Sequence, residues 1–399
     1  MTIDYAPTPT YTFSREAADL HRSVMRDLIA RTAKPGIIPL SGGLPASEFL
    51  PVDALRDCFD AVLKREGGDA LQYRPRYAPL LEWIADYMNG RGVVCTPEQV
   101  FITNGNQQGL SILSRLFLDS DGVAVTDAIT FTGINQITAG RGADVRAVPV
   151  DLRTGTDMAA LETAFAAHPR PQLCVLIPDF HNPLGVSMTA DKRQQVAQLA
   201  ARYGVPVVED DPYAALRFSG EPTPPIKAYD DSGHVFYLGS FSKMLAPAAR
   251  LGWMIAPSEL LPKITVFRES IDLESSALTQ RAVAEFLGRD LLPAHLDRLN
   301  AVNKSRAEAL LDALDIHLGD VAMWTQPDGG LFVWVTLHDD AINTWDLLDA
   351  ALEAGVAYVP GGAFAVDGGH QHTMRLNFSK VAEADIRAGV RRLAQVIKS

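Results

Sequence analysis

The feature that most restricts the fold of this chain is an alternation, repeated through its middle, between short apolar runs and amphipathic stretches. "QVFITNG" leads into "NQQGLSILSRLFL", "GVAVTDA" into "FTGINQITAG", and "LCVLIPD" into "TADKRQQVAQLAARYG"; "GVPVVEDD" and "HVFYLGS" follow. Runs of four or five apolar residues between helical patterns read as parallel strands buried on both faces by crossover helices. The middle of the chain is therefore expected to be an α/β sheet. After about Ala284 the character changes. "LPAHLDRLNAVNKSRAEALLDAL" reads as a long helix, "GGLFVWVTL" and "TMRLNFS" as strands, and "EADIRAGVRRLAQVIK" as a closing helix, which together describe a smaller α+β lobe. The first fifty residues are too few for a domain and are expected to dock on that lobe. The division that follows is a large domain over 50–284 and a discontinuous small domain from 1–49 and 285–399.

Composition narrows the class of ligand. With 399 residues, 47% of them hydrophobic, the chain can bury a large core. A formal net charge of −12 argues against nucleic acid or an anionic membrane as the main partner and leaves small molecules. Cys58, Cys95 and Cys174 are odd in number, far apart and without a CxxC or Cys/His pattern, so neither a disulfide framework nor a metal site is expected. A reducing cytoplasm fits best. The start has no basic segment followed by an apolar one, and no apolar run approaches the length of a membrane span.

In open α/β sheets ligands bind beyond the carboxyl ends of the strands, so the polar residues there are read together. "GSFSKMLAPAARLGW", from Gly239 to Trp253, places Ser240, Ser242, Lys243 and Arg250 after one apolar run. "VVEDDPY" places Glu209, Asp210, Asp211 and Tyr213 after another, and "VLIPDFHNPLG" places Asn182 after a third. "ITNGNQQG" adds a glycine turn and amides at a helix start, where free N–H groups favour an anion. Each piece alone also reads as an ordinary cap, a turn with solvated carboxylates, a surface lysine or a paired arginine. Their combination at sheet ends matches the needs of pyridoxal 5′-phosphate. A lysine forms an imine with its aldehyde, an acid keeps its pyridine nitrogen protonated, donors hold its phenolic oxygen, and hydroxyls, helix N–H groups and an arginine neutralise its phosphate.

At this point the chain resembles the fold-type I aminotransferases of class I/II, and among them the 2-aminoadipate/kynurenine branch, which is also similar to the effector domain of MocR-type regulators. The resemblance runs from "PGIIPLSGGLP" through "LQY", "GNQQG", "FHNPLG", "EDDPY" and "SFSKMLAPAARLGW" to "PDGGLFVWV", "VPGGAF" and "MRLNFS". It implies a mostly parallel seven-stranded sheet between helices plus a smaller α+β domain. It also implies Lys243 as the Schiff-base lysine, Asp210 as the partner of the pyridine nitrogen, and Asn182 and Tyr213 on the ring oxygen. Gly105, Asn106, Gln107, Ser240, Ser242 and Arg250 would hold the phosphate, and Phe131 would stack on the ring. Arg375 would grip the substrate α-carboxylate, with Gly43 lining the same end. Tyr73 matches a residue that reaches the phosphate of the neighbouring subunit, which implies a homodimer with active sites at the subunit interface.

The chain departs from its relatives in places. Asn106 stands where they usually carry serine, leaving an amide in place of a hydroxyl for the phosphate, and His181 and Leu184 replace commoner residues in "FHNPLG". Arg74 and Arg76 lie in an altered loop after Tyr73, where they either touch a substrate carboxylate across a dimer or are solvated. Arg26 aligns with an arginine at the site mouth of 2-aminoadipate-type relatives, and reads equally as an exposed helix charge.

The expected activity is transfer of the amino group of an α-amino acid, apolar, aromatic or 2-aminoadipate-like, to a 2-oxo acid, by resemblance 2-oxoglutarate. The kinetics would be ping-pong, with the freed Lys243 moving the substrate α-proton. Decarboxylation, elimination or oxidation on the same fold would use the same Lys243 and Asp210. A MocR-like regulator would need a winged-helix domain ahead of this region, where only some fifty residues stand.

Overall fold

The computed structural model describes residues 11–13, 36–73 and 76–399. Its centre is a seven-stranded sheet of β1 (Val100–Thr103), β2 (Val123–Asp127), β3 (Asp144–Val148), β4 (Leu173–Leu176), β5 (Val207–Asp211), β6 (Val235–Ser240) and β7 (Gly252–Ile255). The spatial order is β1-β7-β6-β5-β4-β2-β3. Only β7 runs antiparallel to its neighbours; the other pairs are parallel, as the unbroken apolar runs require.

Both faces of this sheet are covered. Val208, Phe236 and Leu238 pack on one side with residues of α1 (Asn106–Phe117), while Val207, Val235, Cys174 and Leu176 pack on the other with residues of α2 (Ala190–Tyr203). This alternation follows from the period of two along a strand. It also sorts the acidic run at the end of β5, where Glu209 and Asp211 share one face and Asp210 takes the other.

A second, antiparallel sheet is built from β8 (Ala322–Trp324), β9 (Phe332–Leu337), β10 (Val359–Pro360) and β11 (Thr373–Asn377), in the order β8-β9-β11-β10. A 27-residue helix, α3 (Leu292–Leu318), links the two regions. Its first turn joins the core around Trp253, and Ala307, Leu310 and Leu314 join the core of the small sheet. Ile38–Pro39 pairs in parallel with Val356–Ala357, so the chain just before the glycines at 42 and 43 is tied to the small-sheet region. Among the described residues no helix is long and apolar enough to cross a membrane.

Candidate active site

The carboxyl ends of β4, β5 and β6 lie side by side, and the segments leaving them wall a cavity of about 380 Å³ that also takes in residues 41–44, the start of α1 and Arg375 of β11. Lys243 sits in a one-turn helix begun by Ser240, whose Oγ accepts from the Ser242 N–H at 3.1 Å. The Lys243 amine donates to the Gly43 carbonyl at 2.7 Å. Burial, with the positive charges of Arg375 and Arg250, lowers its pKa to about 8.

Asp210 faces the same cavity and is 3% exposed. Burial pushes its pKa up to about 7, opposed by the hydrogen bond from Asn106 and aided by the neighbouring Asp211. Asp211, on the opposite face, is spent on structure: it accepts from Arg91 at 2.9 Å and from the Tyr237 hydroxyl at 2.9 Å. Glu209 caps the backbone N–H groups of Ile226 and Lys227 at 2.8 and 2.9 Å. Of three consecutive acids, one is left for a ligand.

Arg375 is buried, with its guanidinium 4.3 Å from the Phe332 ring centre and 4.9 Å from that of Phe364. It donates to Asn182 Oδ1 at 2.8 Å and to the carbonyls of Ser41 and Gly42 at 2.9 Å each. Its Nε is buried without an acceptor among the described residues, a donor unspent on them. Desolvation lowers the Arg375 pKa to about 10 against the pull of Tyr213. Burial raises the Tyr213 phenol well above its ordinary value, with Arg375 and Asn182 acting against it.

At the other end of the cavity, Gly105 precedes α1 with a φ of 82°, and a side chain there would meet the Arg250 guanidinium at 3.2 Å. The start of α1, with its free N–H groups, the residues Ser240 and Ser242 and Arg250 thus line this end of the cavity, a set of groups suited to an anion. Gly133 lets Phe131 lie over the cavity, since a β-carbon at 133 would fall 2.4 Å from its ring.

Residues 40–393 match the family described as aminotransferase class I and II. The chain belongs to this family. It is 36% identical to the aromatic-amino-acid aminotransferase 1 of Thermococcus litoralis, over 98% of this chain and 96% of that protein. A kynurenine aminotransferase of Pyrococcus horikoshii, solved in complex with PMP, superposes with a TM-score of 0.92 at 34% identity, covering 97% of this chain and 96% of that one. An α-aminoadipate aminotransferase of Thermus thermophilus, complexed with N-(5′-phosphopyridoxyl)-L-leucine, superposes with a TM-score of 0.88 at 34% identity, covering 97% of each chain.

As a class I and II aminotransferase the protein is an enzyme of pyridoxal 5′-phosphate-dependent amino-group transfer on the fold-type I architecture. The cavity fits that cofactor. It offers a primary amine of lowered pKa, a buried acid with no cation against it among the described residues, and N–H groups and hydroxyls beside an Arg250 guanidinium that a β-carbon at 105 would crowd.

Of the residues singled out in the sequence, Gly43, Gly105, Asn106, Gln107, Phe131, Asn182, Asp210, Tyr213, Ser240, Ser242, Lys243, Arg250 and Arg375 all line this one cavity. The side chain of Asn106 differs from the sequence reading: its amide is engaged by Asp210 and the Leu238 carbonyl, and its backbone N–H is what remains for a phosphate. Tyr73 is 77% exposed and does not line its own chain's cavity. Arg76 donates to the Pro97 carbonyl and lines a different pocket. Arg26 and Arg74 lie outside the described residues. His181 is buried, 3.3 Å from Asp127, and Leu184 belongs to the small-sheet core.

The sequence reading missed Ser41, Gly42, Leu44, Leu110, Ile177, Pro212, Pro247 and Phe332, which complete the lining. Ser41 and Gly42 act through backbone carbonyls, which leave no trace in residue type. Phe332 sits in the quoted "GGLFVWV", where period-two alternation puts it on the same face of β9 as Trp334 and gives no hint that it stacks on an arginine.

Proposed function

We propose that this aminotransferase takes the amino group from an α-amino acid with an apolar, aromatic or 2-aminoadipate-like side chain and passes it to a 2-oxo acid, 2-oxoglutarate first among them, in a ping-pong cycle. The observation that carries the reading is the Lys243 amine held inside a cavity that also contains the buried carboxyl of Asp210. The donor class rests on the names of the relatives.

When bound, pyridoxal 5′-phosphate supplies an aldehyde for amines and a protonated ring that draws electrons from the substrate α-carbon. Lys243 is the amine that carries it, and a pKa of about 8 leaves a usable fraction unprotonated near neutrality to accept and return the α-proton. Asp210 holds the proton on the ring nitrogen, and Asn182 with Tyr213 serves the ring oxygen. The backbone of Gly105, Asn106 and Gln107, the hydroxyls of Ser240 and Ser242, and Arg250 take the phosphate, with Phe131 against the ring. Arg375 and Gly43 receive the substrate α-carboxylate, which the unspent Arg375 Nε and the aromatic support from Phe332 favour. Arg26 would read a distal acidic group.

The exposure of Tyr73 supports its service to a neighbouring subunit, and exposed Leu71, Val266 and Leu273 are apolar surface of the kind that a homodimer covers. Three buried free thiols accord with a cytoplasmic setting. The division into 50–284 and 1–49 with 285–399 is supported by the pairing of Ile38–Pro39 with Val356–Ala357. The direct test is a scan of amino donors against 2-oxoglutarate, following the oxo acid formed. Turnover with aromatic, apolar or 2-aminoadipate donors supports the reading, and release of carbon dioxide or ammonia without an oxo-acid acceptor contradicts it.

A further inference from the structure

Asn106 Nδ2 donates to Asp210 Oδ1 at 2.6 Å and to the Leu238 carbonyl at 3.1 Å. Two acceptors around one atom fix the amide, because reversing it would set its oxygen against a carboxylate and a carbonyl. The Asn106 Oδ1 is buried with no partner among the described residues, so the donor end is what holds this side chain in place. The fold brings these groups together: Asp210 and Leu238 stand opposite each other in the β5–β6 register, and Asn106 opens α1 at the end of β1. One amide thus bridges an acid on one strand and the backbone of the next.

We propose that Asn106 is a positioning residue for Asp210, holding one carboxylate oxygen so that the other is presented to the ring nitrogen of the cofactor with the shared proton kept on nitrogen. The proposal rests on the reading of Asp210 as the pyridine partner. A buried carboxylate that accepts an amide N–H is a weaker base than one left bare, and this hydrogen bond is the chief interaction opposing the effect of burial on Asp210. Without it the proton shifts toward the carboxylate, and the ring becomes a poorer electron sink.

The test compares wild type with Asn106→Leu, similar in size but without a donor, and Asn106→Ala, which cannot overpack the site. Each is loaded with pyridoxal 5′-phosphate labelled with nitrogen-15 in the ring, and separately with pyridoxal, which lacks the phosphate. The expected result is that the ring-nitrogen signal moves toward unprotonated pyridine in the variants. Affinity for both cofactors should fall by the same factor, about tenfold for one charge-assisted hydrogen bond. Weakened binding of pyridoxal 5′-phosphate alone, with the nitrogen signal unmoved, assigns Asn106 to the phosphate and overturns the proposal. An unprotonated ring nitrogen in the wild-type protein overturns it as well, even where both variants misfold. Failure of wild type to bind either cofactor would instead overturn the underlying reading of the site.

Discussion

Arg375 Nη1 donates to Asn182 Oδ1 at 2.8 Å, joining the last strand of the small sheet to the loop that leaves β4 in the large one. The same guanidinium reaches the carbonyls of Ser41 and Gly42, so three separate stretches of chain meet on one side chain. Lysine carries the charge but cannot reproduce a planar fork or its stacking on Phe332 and Phe364. Arg375→Lys is therefore expected to lower kcat/KM for every donor and acceptor by a similar factor, about ten- to a hundredfold. Steady-state kinetics on one acidic and one aromatic donor check this, and losses confined to one of them would assign the α-carboxylate to another arginine.

Asp210 and Asp211 are adjacent in sequence and opposite in role. Asp210→Asn removes the charge facing the ring nitrogen and should slow removal of the substrate α-proton by orders of magnitude in single-turnover experiments. Asp211→Asn should leave that step far less affected. It removes the charge opposite the half-buried Arg91, which keeps the Tyr237 hydroxyl as an acceptor, so it should cost stability, about 1–3 kcal/mol. Chemical denaturation separates the two effects.

The sheet was legible because its strands are unbroken apolar runs, and the acidic run after β5 could be assigned to a strand end for the same reason. The resemblance singled out Asp210, and the period of two sets it on the other face from its neighbours; what occupies those neighbours lies elsewhere in the chain, Arg91 for Asp211 and the 226–227 backbone for Glu209. Nothing local to "VVEDDPY" records them. The direction of the Asn106 amide was hidden likewise, since residue type at the start of a helix suggests a cap or an anion site and does not reveal an aspartate on a strand across the sheet. Phe332 was hidden by its apolarity, which any core strand shares.

The raised pKa of Asp210 gives the cofactor-free protein a pH signature. Its folded value of about 7 lies above the ordinary 3.8, so between these values the folded state binds a proton that the unfolded state does not. Its contribution to stability therefore falls as pH rises from about 4 to 7, and the cost is full above 7. An uncharged asparagine carries no such cost. Cofactor-free Asp210→Asn should unfold at a higher temperature than cofactor-free wild type at pH 8, with the difference shrinking toward pH 4. Parallel melting curves at the two pH values across that window would contradict the burial of this charge.

Tyr73 is 77% exposed, and a hydroxyl that serves its own chain's cavity would not be. The protein is expected to sediment as a dimer. Tyr73→Phe should weaken pyridoxal 5′-phosphate binding by up to about tenfold while leaving pyridoxal binding unchanged. Equal affinity of wild type and variant for the phosphorylated cofactor would remove Tyr73 from the phosphate site.

Lys243 as the amine that carries the cofactor is read out by borohydride reduction of the protein loaded with pyridoxal 5′-phosphate, followed by peptide mass mapping. One pyridoxyl group per chain is expected, on the peptide containing Lys243, and none in Lys243→Ala. A reducible adduct on another lysine, or an undiminished yield of label in Lys243→Ala, would contradict it.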